Sequence, residues 1–573
     1  MTLAAPLDAD PGAVPAASAS GTKAEGLRAL RAAALDPGSP ATVIEGVARI
    51  SSETLEWDPA TGRFRVEVDF PETVSRRRLL NAEPSRGRAE RMLDRLTASG
   101  RGAGLSGVLY DNRDRGHSSL SPTRYPRLTR TEYGEELRRL GLDRGLNELL
   151  RFDAVTLGNA SLAFKGPRGR SLPRLATSTA QGAARLHQNY RSNQLYVFPE
   201  HRDHDPGRGD LFHAATPYVW ISQGSSGSDR PLLGALADAV AALRPETRAR
   251  LAAEGLVAPA VQMLVRRAAL AEGVDYLSGA AHPSVLDPER VDRVRLIREA
   301  QALTADAIPP APRLAVIDEP QPEPGRDLFG DGLSELLFDT PGAVARLARS
   351  ASGRRRYLLT GAAEDPNGRP LTYHWRVLRG DPERISLQSL DPEDRVVELV
   401  VDWPRPRPVP GDPDLLSSRI DVGLFVHNGE VWSPPAFFSL YFPPGRAVAH
   451  DAEGRPVRID YMTEDSDPVL FPRRSWRDAY RYADDGALLG WTRTHEDGET
   501  AFFTAHGHRV ISWRDGRPHR VAEVAYPVTR RRDAHRVEPR ETGLQLNYVY
   551  RGPDDEVGTP TPLPDAGAFS EAQ

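Results

Sequence analysis

The sequence predicts a multi-domain α+β protein: a mixed α/β N-terminal domain, an immunoglobulin-like β-sandwich and a C-terminal antiparallel β region. Three observations predict it. The 573 residues suffice for three or four domains at roughly 150 residues each. Helical apolar stripes alternate with strand-like runs up to residue 305, and strand-like runs dominate after residue 354. Gly and Pro number 49 and 50, which favours turns over long helices.

Residues 1–22 are small and Ala/Pro-rich, which reads as a flexible tail. An Ala/Leu/Arg run at 23–36 is a short helix candidate that Pro37 ends, and it completes the segment 1–41. The mixed domain spans 42–305. Within 45–70 a turn at 58–62 precedes Phe64, Val66, Val68 and Phe70, which alternate with polar residues as a half-buried strand does. Helices are expected at 86–98 and 131–150, the second on a stripe of Leu137, Leu140, Leu146 and Leu150. The run 154–164 reads as a buried strand with an irregularity at Gly158-Asn159, and 194–198 as a strand that Pro199 closes. Helices follow at 231–243, 246–254, 258–272 and 288–304. Pro231 suits the first turn of the first, with Ser228 or Asp229 to cap it.

The stretch 306–330 holds six prolines and several charges, so 306–353 reads as a linker with a short helix at 333–349. From 354 to 445, strand-like runs are separated by turns at 365–368, 391–394 and Asn428-Gly429, at the spacing of a sandwich. Leu371, Tyr373, Trp375 and Val377 share one face, and Trp375 is the expected plug between two sheets. Residues 446–552 read as antiparallel strands joined by Asp497-Gly498 and Asp515-Gly516, dense in Tyr, Trp and Arg. The tail 553–573 reads as disordered.

The string LTGAAEDPNGRPLTYHWRVLRGDP carries Asp365, Pro366, Gly368, Leu371, Tyr373 and Trp375. It resembles the opening of polycystic-kidney-disease-type (PKD) and related cadherin-like modules, over about 354–444. That resemblance implies an immunoglobulin-like fold, an extracellular or envelope setting, and a role in spacing or binding. Such modules often accompany secreted hydrolases.

Composition narrows the partners. The net charge is −5, with 74 basic against 79 acidic residues, so nothing draws the chain onto phosphates and nucleic acid is not an expected partner. Cysteine is absent, which removes disulfides, thiolate metal ligands and thiol nucleophiles. Lysine occurs only at Lys23 and Lys165. The longest uncharged run, 211–228, carries His213, Gln223 and Pro217, so no membrane span is expected. No signal peptide is visible, although a small Ala/Pro-rich tail often follows a removed one.

The densest polar cluster is 187–213, with His187, His201, His204 and His213 beside Glu200, Asp203, Asp205 and Asp210. Glu200, His201, Asp203 and His213 have ligand types that suit a divalent metal such as Zn, Ca or Mn. His204 and Asp205 are the acid–base candidates. A polar loop whose carboxylates bond their own backbone has the same composition. The loop 110–119 adds Asp111 and His117 as catalytic candidates, with Arg113 and Arg202 to hold a ligand's carboxylate. Ser225, Ser226, Asp229 and Arg230 lie in a glycine-rich run before a helix, which can face an anion or sugar acid. Asn159 heads an Asn-x-Ser sequon, a glycosylation acceptor in a glycosylating host.

The expected function is therefore that of a secreted or cell-envelope protein of bacterial type, extracellular or periplasmic, whose β modules bind polysaccharide or an envelope protein. The alternative is a secreted hydrolase or lyase acting on glycans through the 200–213 cluster, with or without a metal.

Overall fold

The computed structural model describes residues 16–71, 87–162, 171–201, 212–322, 335–350, 352–409, 412–443, 447–463, 473–531, 534–537 and 539–563. The N-terminal region begins with α1 (Ala16–Ala33) and the hairpin β1 (Ala41–Ile44) and β2 (Val47–Ile50), which turns at Glu45-Gly46 with φ of 51° and 79°. A small sheet of β3 (Glu56–Asp58), β4 (Arg63–Val66) and, later, β8 (Leu150–Phe152) buries Phe64 and Val66, as their alternation predicts. The main sheet adds β5 (Val68–Asp69), β6 (Leu109–Asn112), β7 (Thr129–Tyr133), β9 (Thr156–Asn159), β10 (Gln194–Pro199) and β11 (Trp220–Ser222). Its strand order is β11-β10-β9-β6-β7-β2-β1-β5, and β6, β7, β9, β10 and β11 run parallel. Those five stand as 2-1-3-4-5 by chain order, so the winding reverses between β6 and β9. In such sheets a crevice opens at the carboxyl ends of the strands beside that reversal.

Helices α2 (Arg88–Ala98), α5 (Ala180–Arg191), α6 (Asp229–Ala242), α7 (Pro245–Ala253), α8 (Val257–Ala268) and α9 (Arg293–Ala302) surround the sheet, with the short α3 (Glu135–Arg139) and α4 (Leu172–Ala176). Nearly all of α6 is buried, against β9, β10 and the other helices, because its Ala and Leu residues leave no polar face. The helix expected over 131–150 is instead β7, α3 and the start of β8. Gly141 and Gly145, at φ of 70° and 73°, end the helical path.

The segment expected to link domains is itself folded where described. Ala311–Asp318 is a strand paired with Arg354–Glu364, and Leu336–Thr340 and Ala343–Leu347 form a hairpin where a helix was expected. The Ala343–Leu347 strand lies parallel to Ala436–Tyr441, and its residues are all buried. These strands complete a four-stranded and a five-stranded sheet that enclose one core containing Tyr357, Leu399, Trp375, Leu424 and Phe438. Trp375 is 7% exposed and its indole N–H donates to the Asp394 carbonyl at 2.8 Å.

Beyond residue 446 the described residues form a nine-stranded antiparallel sheet, from Ala447–His450 to Thr559–Pro562, and Val528–Arg531 and Ala534–Val537 pair as a separate hairpin. The last strand of the sheet occupies part of the tail expected to be disordered; 564–573 lie outside the described residues. His506 and His508 lie between Thr500–Thr504 and Arg509–Arg514, and His506 Nδ1 meets the Tyr548 hydroxyl at 2.9 Å. Among the described residues no helix is long and apolar enough to cross a membrane.

Candidate functional site

The parallel strands bring three of the predicted segments to one end of the sheet. Asp111 and Asn112 end β6, Asn159 ends β9, Glu200 and His201 follow β10, and the 223–228 loop leaves β11. Arg202, Asp203, His204 and Asp205 lie outside the described residues.

Asp111 is fully buried. Its Oδ1 accepts from the Thr131 hydroxyl at 2.9 Å and the Tyr133 hydroxyl at 2.8 Å, and its Oδ2 from the Tyr196 hydroxyl at 2.7 Å. Arg113 Nη1 adds a bond to Oδ2 at 3.3 Å. The same guanidinium donates to the carbonyls of Leu142, Arg144 and Gly145 at 2.8, 3.2 and 2.9 Å. Burial opposes its charge, but Tyr133 and Asp111 more than offset that and hold its pKa above the ordinary value. Arg113 therefore binds this chain's own carbonyls rather than facing a ligand, and Asp111 anchors β7 and β10 from β6. His117 is exposed on the loop, away from this network.

A second network lies at the reversal point. Asn159 Nδ2 donates to Asp229 Oδ2 at 2.8 Å and to the Ser118 carbonyl, and the Ser118 hydroxyl donates to Asp229 Oδ1. Asp229 thus turns into the sheet instead of capping α6, and Ser228 Oγ meets Ser222 Oγ at 2.9 Å. Asn159 is 0% exposed, so its side chain is closed to glycosylation. Asp114 Oδ2 lies 3.4 Å from Asn159 Nδ2. Burial pushes the Asp114 carboxyl up, and the negative charge of Asp229 adds to that.

Outside this network His201 holds a left-handed backbone, φ 60°, which is rare for a residue with a Cβ. Its Nε2 lies 3.4 Å from Ser161 Oγ, and Ser161 Oγ lies 2.6 Å from Ser226 Oγ. Ser225 and Ser226 are exposed on the glycine-rich loop, where Gly224 and Gly227 take φ of 113° and 99°, and Arg230 is exposed in the first turn of α6. His213 is elsewhere: its Nδ1 meets Ser178 Oγ at 3.0 Å and its ring packs on Tyr441. Among the described residues no three His, Asp or Glu side chains stand close enough to hold a metal ion, so Glu200, His201 and His213 do not form one shell.

Ser118, Asn159 and Ser161 were missed as partners of this crevice. The Asn-x-Ser string was the available signal, read for glycosylation rather than as the polar end of a buried strand.

A different site emerges on the C-terminal sheet. Phe502 and Trp513, 41% and 43% exposed, meet edge to face at 5.6 Å and 88°. Beneath them Trp491 and Phe503 stack at 5.0 Å and 6°. Phe502 and Trp513 line an open groove of about 210 Å³ with Arg481, Asp515 and Glu556 exposed along it, while the Trp491–Phe503 stack faces the opposite side of the sheet. Adjacent strands of a twisted sheet place the rings side by side.

No family model matches the chain, and no curated protein matches it.

Proposed function

We propose that the protein binds glycans in a secreted or cell-envelope setting, and that the groove of Phe502 and Trp513 is the surface that reads them. The exposed Trp513–Phe502 pair carries this reading. Two large rings held at right angles in water bury no core, yet they offer a flat apolar face to the C–H side of a sugar ring. Arg481, Asp515 and Glu556 supply donors and acceptors for hydroxyl groups around that face. The two sheets within 311–443 then serve as a PKD-like spacer of immunoglobulin type. The Asp365 turn supports this, since Asp365 Oδ2 accepts from the backbone N–H of Asn367 and of Arg369 at 3.0 and 2.8 Å.

The test is a glycan array probed with the full chain and with Trp513→Ala. Binding by the wild type that disappears in the variant supports the reading; an array with no bound glycan overturns it.

The crevice favours a second reading, a hydrolase or lyase acting on the bound glycan. Burial and the nearby Asp229 charge raise the Asp114 carboxyl pKa, and His201 is held in a strained conformation over Ser161. Turnover of an array-positive glycan that Asp114→Asn reduces at least about a hundredfold would support it, given the contribution of general acid catalysis. Unchanged turnover in that variant would discard it.

A further inference from the structure

A cavity lies between the N-terminal region and the sheets that follow it. It encloses about 340 Å³. One wall comprises Arg266 of α8 and the 279–290 segment, and the other Leu378, Arg379, Val409, Arg419, Asp421 and Phe437. Gly279 closes the seam, because a Cβ there would stand 2.0 Å from the Leu378 carbonyl oxygen.

Four guanidinium groups line this cavity: Arg266, Arg290, Arg379 and Arg419. Two of them bond groups inside the fold, although Arg266 Nε is buried without a partner, and the carboxylates of Glu200, Asp287 and Asp421 line the cavity as well. Arg419 is paired to Asp421 at 2.8 Å and bonds Ser284 Oγ at 2.7 Å and the Phe212 carbonyl. Arg266 Nη1 bonds the carbonyls of Ala281 and Pro283, both at 3.2 Å. Arg379 lies across the strand pair from Asp421. Its Nη2 is buried without a hydrogen-bond partner, and so is Nδ1 of the neighbouring His282. Burial lowers the Arg379 pKa to about 9, and the nearby charge of Arg419 adds to the effect. Asp421 offsets this in part, and a half-buried cation with an unmatched N–H still gains from a further anion. Arg290 is exposed at the mouth. Leu270, Leu286, Val409 and Phe437 give the cavity an apolar lining.

We infer that this cavity binds a small organic oxyanion, a carboxylate or a phosphate ester, with Arg379 as its principal anchor and Arg290 at the entrance. The cavity volume falls in the range of small-molecule sites, and a planar guanidinium matches either oxyanion. This site lies apart from the aromatic groove and does not depend on glycan binding there.

The experiment is calorimetric titration of the full chain at low salt with galacturonate, citrate, glucose 6-phosphate and inorganic phosphate, with glucose as the neutral control. At least one of the organic anions is expected to bind while glucose does not enter this site. A carboxylate hit against a phosphate hit identifies the source of the oxyanion. Arg379→Gln is expected to weaken that binding about tenfold or more, as loss of a charged hydrogen bond does. Arg290→Gln, at an exposed position that tolerates substitution, is expected to weaken it less and serves if Arg379→Gln does not fold. Failure of every organic anion to bind, or binding unchanged in both variants, overturns the inference.

Discussion

Asp111 shows how a residue read as a catalyst becomes a fastener. A carboxylate within reach of three hydroxyls and a guanidinium has its lone pairs filled, and it joins three strands of one sheet. Asp111→Ala would leave Arg113 buried without its counter-charge. The expected cost is roughly 3–5 kcal/mol, measured by urea denaturation; a loss under about 1 kcal/mol would contradict this account. Histidine burial sets the pH response. Burial, with repulsion from Arg191 and Arg313, lowers His187 to about 4, and burial with Arg266 holds His282 well below its ordinary range. An unfolded histidine titrates near 6.5, so the unfolded chain binds more protons between pH 6.5 and about 4. Stability therefore falls on acidification through that window, by up to about 1.4 kcal/mol per pH unit for each ring. Asp238, raised to about 6 by burial despite Arg293, acts in the opposite sense and gains stability from its proton. His187→Gln is expected to flatten the measured slope of stability against pH between 4 and 6.5, and an unchanged slope would remove His187 from the explanation.

At the scale of elements, β9 is the tightest point of the main sheet. A Cβ on Gly158 would stand 2.2 Å from the Tyr196 ring and 2.9 Å from the Asp111 carbonyl. Gly158→Ala should therefore push Tyr196 off Asp111 and cost roughly 1–3 kcal/mol of overpacking, read as a lowered melting temperature. A variant as stable as the wild type would show that the ring moves freely. The sequence suggests an irregularity at Gly158-Asn159, but β9 pairs regularly through both residues, and it is a ring from β10 that requires the glycine. The helices α6, α7 and α8 were legible because proline near their N-termini and long apolar runs are local signals. Ala311–Asp318 and the 336–347 hairpin were not, since proline density and a run of Leu, Ala and Arg suggest linker and helix locally. Pairing with strands beyond residue 353 decides them instead. In the crevice, residue types near 111, 200 and 229 were legible, but which of them bond each other depends on strand order.

The whole molecule divides its stability unevenly. One apolar core runs from α2 through α9 into Phe338, Leu347, Phe437 and Tyr441 of the five-stranded sheet. Polar bonds cross the same seam: the Tyr276 hydroxyl donates to the Ser433 carbonyl at 3.1 Å, and Ser439 Oγ accepts from Ala215 N–H at 2.9 Å. Residues up to 443 should then melt as one unit, and a fragment ending at 305 should not fold alone. Among the described residues the C-terminal sheet has two small clusters of its own, around Trp491 and around Val521. Calorimetry of the full chain is expected to show a separate, lower transition for it; a single transition would contradict this division. The rings that this sheet leaves in water are what the functional proposal rests on. Titration of the best array glycan into the wild type and Trp513→Ala measures that claim directly. The account predicts affinity reduced about tenfold or more, as for loss of an aromatic anchor, at an unchanged melting temperature. Equal affinity in the two proteins would contradict it.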